Sequence, residues 1–150
     1  MNWGCPTCPD PGTLGDVVYD AGMLIALAAP HPSELTRVRH SEFCRAGRPV
    51  VPAPVVAQAW RAGHARAHLA RALNDCAVVC CYTEHEWRRI GEMIGRAALP
   101  DKKWPDPVDG LVALTAVDID ASIIATSDPA DLHAYLDQVP GTSVITVIEV

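Results

Sequence analysis

Residues 106–131, DPVDGLVALTAVDIDASIIATSDPAD, constrain the fold of this chain more than any other stretch. The segment opens with Asp-Pro-Val-Asp and closes with Asp-Pro-Ala-Asp. Between them lie an apolar helical pattern (Leu111, Val112, Leu114, Thr115) and a short apolar run, Ser122-Ile123-Ile124-Ala125-Thr126. This order reads as helix, tight connection, buried strand, helix. Each Asp-Pro-x-Asp sets Asp at an N-cap, Pro at the first helical position and an acid three residues past the cap. Helix capping, worth about 1 kcal/mol per cap, accounts for either motif taken alone. Position adds a second meaning. Asp128 follows a buried strand directly, at the carboxyl end where open α/β sheets place their ligands. A second such end exists where Val17-Val18-Tyr19 leads into Asp20. Acids from separate segments that meet at one sheet edge point to a divalent-metal site.

The rest of the chain supplies the sheet. Strands are expected at residues 16–19, 48–52, 78–82, 122–126 and 143–148, alternating with helical segments. That alternation predicts an α/β fold, a three-layer arrangement of a five-stranded, mostly parallel sheet with helices on both faces and right-handed crossovers. Helix signals include Ser33 before and Gly47 after one segment, and the Thr83-Glu-His-Glu86 capping box before another. In the latter, Trp87, Ile90, Met93 and Ile94 recur at helical spacing, as a core face or a partner surface. Residues 1–15, rich in Pro, Gly and Cys and without periodicity, are expected to be a flexible and dispensable N-terminal extension. Residues 16–150 are expected to form a single domain, and a chain of 150 residues buries a sound core.

The formal charge of −6 hides an asymmetry: all twelve Lys and Arg fall between Arg37 and Lys103, a span with only six acids. An acidic centre beside a basic span suits metal binding next to a polyanion. Arg61, Arg66 and Arg71, with His64 and His68, form a polar-basic set that reads as an RNA-facing or a solvated helix face. No apolar run approaches the ~20 residues of a membrane span, so no membrane association is expected. The opening MNWGCPTCPDPGTLGD has neither the basic nor the apolar region of a secretory leader, which makes the cytoplasm the expected compartment. There the six cysteines are expected to be reduced. Cys44, Cys76, Cys80 and Cys81 fall in helix or strand patterns and are expected to be buried apolar residues. Cys5-Pro-Thr-Cys8 has zinc-knuckle spacing, but no second Cys-x-x-Cys or His pair follows nearby to complete a site.

Asp20, Asp109 and Asp128 belong to three elements whose ends should converge, and Asp106 lies one helical turn from Asp109. Clustered carboxylates repel one another unless a cation is present, so stability alone gives little reason to build them. Mg²⁺ or Mn²⁺ takes such oxygen ligands, and a bound ion can activate water and steady a phosphodiester under attack. Competing acidic sites fit less well. A haloacid-dehalogenase phosphatase needs a second Asp where this chain has Gly22. A response-regulator receiver needs an acidic pair near the first strand and a Lys after the fifth, and both are missing. Neither GxxxxGK[ST] nor GxGxxG occurs, and no Ser or Cys lies in a nucleophile motif.

Four segments, VVYDAGMLIAL, VVPAPVVAQAWR, DPVDGLVALTA and IATSDPADL, resemble in this order the signature segments of PIN-domain ribonucleases, especially VapC-type toxins of bacterial toxin–antitoxin modules. The similarity covers about residues 16–150. It implies a PIN-like five-stranded parallel sheet, dependence on Mg²⁺ or Mn²⁺ and endonucleolytic hydrolysis of RNA. It also implies a small cognate antitoxin as partner, and it admits a homodimer. By motif position Asp20, Asp109 and Asp128 match the catalytic, metal-binding acids, and Asp106 matches an additional acid of this subgroup. Gln58, Asp131 and Thr126 fall beside that set, where they would support it. The family usually carries Glu where this chain has Gln58, whose amide brings no negative charge. That departure leaves open an alternative, a catalytically weak or inactive PIN-fold binding or regulatory module.

Overall fold

A computed structural model describes residues 5–60, 66–100 and 103–150. Arg61 and His64 of the basic set lie outside the described residues. Five parallel strands form one sheet: β1 Leu14–Tyr19, β2 Arg48–Pro52, β3 Ala77–Val79, β4 Ile123–Thr126 and β5 Thr146–Glu149. Their order across the sheet is β3-β2-β1-β4-β5. Seven α-helices are present among the described residues: α1 Ala21–Ala28, α2 Glu34–Ala46, α3 Ala53–Trp60, α4 Arg66–Asn74, α5 Glu84–Arg96, α6 Pro107–Asp118 and α7 Pro129–Leu136.

The layering follows from strand order and handedness. From β1 the chain steps outward to β2 and β3, then returns to β4 on the other side of β1 and continues to β5. Right-handed crossovers therefore place α1 to α4 on one face and α5 to α7 on the opposite face. The packing agrees: α1 touches α2, α3 and α4, whereas α6 lies between α5 and α7 against β1, β2 and β4. A central strand in such a sandwich has no wet side. Val17, Val18 and Tyr19 of β1, Val50 and Val51 of β2, and Ile124 and Ala125 of β4 are accordingly all buried. Helix α6 is also buried around its circumference, with every residue from Gly110 to Ala116 inside, as expected of a helix covered by sheet and neighbouring helices.

Most of the caps anticipated from sequence form; Asp128 stands at the start of α7 with Pro129 at the first helical position, but its carboxylate makes no capping hydrogen bond and pairs with Lys103 instead. Asp106 caps α6 by accepting the Val108 N–H at 2.8 Å, with Pro107 at the first helical position. Ser33 accepts the Thr36 N–H at 3.0 Å, and Glu86 accepts the Thr83 N–H at 2.7 Å to close a capping box. On α5, Ile90 and Met93 are buried and Ile94 packs against the core, while Trp87 is exposed and its ring meets Tyr82 edge-on.

Several boundaries differ from the sequence reading. Strand β1 begins at Leu14, two residues inside the stretch expected to be an extension. Residues 11–13 make a short helical turn capped by Asp10, and Cys5 and Cys8 lie against the exit of β3. The described part of residues 1–15 is thus seated on the domain. β3 stops at Val79 rather than running to residue 82, because β2 turns into α3 after Pro52 and leaves nothing further to pair with. Cys80 is therefore exposed and Cys81 partly so, whereas the expectation was buried strand residues; Cys76 is buried and Cys44 partly buried. Cys5 and Cys81 are joined as a disulfide, against the expectation that all six thiols are free. β5 starts at Thr146 because Gly141, at φ 82°, turns the preceding residues into a short helical turn over Thr142–Val144.

Candidate functional site

The strand order reverses between β1 and β4, and both neighbouring connections leave the crevice there open. Register sets what meets in it. Val17, Val18 and Tyr19 pair with Ile123, Ile124 and Ala125, so the next residues, Asp20 and Thr126, emerge side by side. The Thr126 hydroxyl donates to Asp20 Oδ2 at 2.7 Å and accepts the Asp128 N–H at 3.0 Å. Asp20 Oδ1 accepts the Ala21 N–H at 2.6 Å, which caps α1. One fully buried threonine thus orients the acid of β1 and the loop that carries the acid of β4. Gly22 permits the closeness: a Cβ there would lie 2.3 Å from Ser127 Oγ and 2.6 Å from the Ser127 backbone nitrogen.

Helices α3 and α6 complete the wall. Asp20, Gln58, Asp106, Asp109, Ser127 and Asp128 line one open cleft of about 570 Å³. All four acids placed in the metal set by the sequence therefore share a cleft. Gln58 reaches Asp106, its Nε2 donating to Oδ2 at 3.1 Å, while the Asp106 N–H donates to the Tyr135 hydroxyl at 3.2 Å. Asp131 stands in the first turn of α7, 7% exposed, and its Oδ1 is buried without a hydrogen-bond partner among the described residues. Arg66 and Arg71 are exposed on α4 and do not line this cleft.

Sequence reasoning missed Lys103. Its ammonium pairs with Asp128 and lies 3.1 Å from Asp131 Oδ2, so it holds together the acid ending β4 and the first acid of α7. The only signal was two consecutive lysines just ahead of Asp106, and nothing local said that Lys103 folds back onto acids 25 and 28 residues later.

The electrostatics are those of an under-neutralised acid cluster. Burial raises the Asp20 carboxyl above its ordinary range, opposed by the hydrogen bonds from Thr126 and Ala21 and reinforced by Asp106 and Asp128. Asp109 is pushed up to about 7, first by burial and then by the negative charges of Asp20, Asp106, Asp131 and Asp128. Conversely, its hydrogen bond to Asp128 raises the Lys103 pKa. Such a set has hard oxygen donors and too little positive charge, which suits a divalent cation of the Mg²⁺ or Mn²⁺ kind. The acids surround the cleft rather than converge. Among the described residues, only a group of cysteines at the exit of β3 is already drawn together to metal-binding distance. Mutual repulsion of un-neutralised carboxylates is a sufficient reason for the difference.

No protein-family model matches the chain, and no curated protein matches it.

Proposed function

We propose that the chain is a metal-dependent endoribonuclease of the PIN type, acting as the toxin of a toxin–antitoxin pair. The observation that carries the reading is the meeting of Asp20 and Asp128, from the two strands flanking the switch point, with Asp106 and Asp109 in one cleft. The four sequence segments that resemble PIN ribonucleases contribute these same acids, and they alone supply RNA as the substrate. An antitoxin partner and a homodimeric assembly come with that resemblance only. No described helix is long and apolar enough to cross a membrane.

Asp20, Asp109 and Asp128 would hold the ion, with Asp106 beside them. A bound Mg²⁺ or Mn²⁺ supplies charge neutralisation at the phosphodiester and a more acidic water. The chain's own contribution is orientation. Thr126 fixes Asp20, and the backbone turn at Asp128 is tied to the same hydroxyl. Asp109, held up to about 7 by burial and the neighbouring acids, is the group that would have to be fully ionised to serve as a ligand. Lys103, already on two of the acids, would be free to meet a phosphate oxygen if a cation took over those acids.

A second reading rests on Gln58 and Lys103. A neutral amide replaces the family's Glu, and an ammonium already compensates two acids, as suits a PIN-fold binding module that needs no metal. End-labelled RNA separates the two. Hydrolysis that depends on Mg²⁺ or Mn²⁺ and leaves 5′-phosphate and 3′-hydroxyl ends is expected of the nuclease. Products with 2′,3′-cyclic phosphates, or RNA binding without cleavage in either metal, would refute it.

A further inference from the structure

Two cysteine pairs far apart in sequence come together where β3 ends. The turn at residues 5–8 is closed by the Cys8 N–H donating to the Cys5 carbonyl at 3.2 Å, which brings both of its sulfurs to one side. They meet Cys80 and Cys81, the first two residues past β3. The Cys8 and Cys80 sulfurs are 3.7 Å apart and those of Cys80 and Cys81 3.9 Å apart. All four sulfurs lie within 4.8 Å of one another. The Thr7 hydroxyl sits between two of them, 2.9 Å from Cys5 Sγ and 3.4 Å from Cys80 Sγ, where its proton can serve a thiolate.

We propose that Cys5, Cys8, Cys80 and Cys81 form a structural zinc site that fastens the N-terminal segment to the exit of β3. A zinc ion with Zn–S bonds of about 2.3 Å sets its four sulfurs about 3.8 Å apart, the spacing of the Cys8–Cys80 and Cys80–Cys81 edges; the Cys5–Cys81 edge is closed further by the disulfide. The closeness argues against an iron–sulfur cluster, whose several metal ions hold the cysteine sulfurs farther apart. Thiolates also suit zinc better than the hard cations fitted to the acid cleft. Four protein ligands leave no open position, so the role is structural rather than catalytic. The Cys5–Cys81 disulfide uses two of the same sulfurs, and disulfide and metal are therefore mutually exclusive states of one cluster. The chain is synthesised with free thiols; zinc binds by displacing thiol protons to solvent, with no oxidant or reductant. This inference does not depend on the nuclease reading.

The test is metal analysis of the full chain purified with a phosphine reductant, without added metal, followed by cobalt substitution. The expected result is about one zinc per chain, with the cobalt form showing sulfur-to-metal charge transfer and tetrahedral visible bands. Cys8→Ser and Cys80→Ser should each lower zinc to below about a tenth of an ion per chain, while Cys44→Ser keeps it. Were either variant insoluble, the cobalt spectrum of the unaltered chain still decides. A metal-free chain that takes up no zinc under reductant would overturn the proposal. So would iron in place of zinc, or a stoichiometric cobalt spectrum without thiolate charge transfer, which would place the ion on oxygen ligands.

Discussion

The carboxyl edge of the sheet carries two metal-like ligand sets that differ in kind. At the switch point, carboxylates from β1, α6 and the β4 exit share a cleft but stand apart. At the exit of β3, four sulfurs are gathered within 4.8 Å. Both are built at strand ends, so position in the fold does not separate them. Charge does. Ionised carboxylates repel over such distances, and the cluster relieves the strain by holding a proton on Asp109 and recruiting Lys103. Two of the four sulfurs, those of Cys5 and Cys81, are joined as a disulfide, and thiols are neutral when protonated, so the chain can assemble the group at little electrostatic cost before any ion arrives. On the readings proposed above, the first would take an exchangeable ion and the second a permanent one.

The largest expected effect tests the first half of this contrast. Asp20→Asn keeps the cap on α1 but removes a ligand charge, and should lower RNA hydrolysis about 1000-fold or more, roughly 4 kcal/mol of barrier. Turnover under saturating Mn²⁺ checks it, and near-normal rates would mean the cleft is not the reaction centre. Cys8→Ser should do the reverse. It should cost roughly 2–4 kcal/mol of stability, because it opens a closure between segments more than seventy residues apart. Hydrolysis per folded molecule should then stay within about twofold, since the cysteine group and the lining of the acid cleft have no residue in common. Denaturant melts beside active-site titrations read both quantities.

A pH series on metal-free protein sharpens the electrostatic half. The folded pKa of Asp109, about 7, stands above its ordinary 3.8. Between those values the folded chain keeps a proton that the unfolded chain has lost. This contribution therefore costs nothing below about pH 4, where both states hold the proton, and turns against folding as pH rises to 7. After discounting for solvent screening, Asp109→Asn should stabilise the metal-free protein at pH 7 by roughly 1–2 kcal/mol and change nothing at pH 4. An equal effect at both pH values would show that burial of a polar group, not charge, is responsible. The smallest effect concerns Gln58. Gln58→Glu sets a second carboxylate against Asp106 and should tighten Mn²⁺ binding about tenfold while lowering metal-free stability slightly. Calorimetric affinity unchanged by the substitution would show that this position faces away from the ion.

Much of the acid cleft was legible because each acid has a local marker. Asp20 and Asp128 follow short apolar runs, and Asp106 and Asp109 lie in a capping pattern, all within reach of strand and helix periodicity. The parallel sheet was legible for the same reason. Gln58 was placed beside the acids, but its partner proved to be Asp106. The limits of β3 and β5 were not legible, because a strand ends where its neighbour stops pairing, and no pattern within the strand records that.

Local sequence, then, determined the elements, the caps and the order of the strands' apolar runs, because propensity and periodicity act over a few residues. Handed crossovers and register did the rest. They brought Lys103 onto Asp128 and Asp131, Gly22 onto Ser127, and Cys5 and Cys8 onto Cys80 and Cys81. Cys5-Pro-Thr-Cys8 read as half a site because its complement lies 72 residues away, past an edge strand. Contacts across that distance come from packing a whole sheet, and no spacing in the chain carries them.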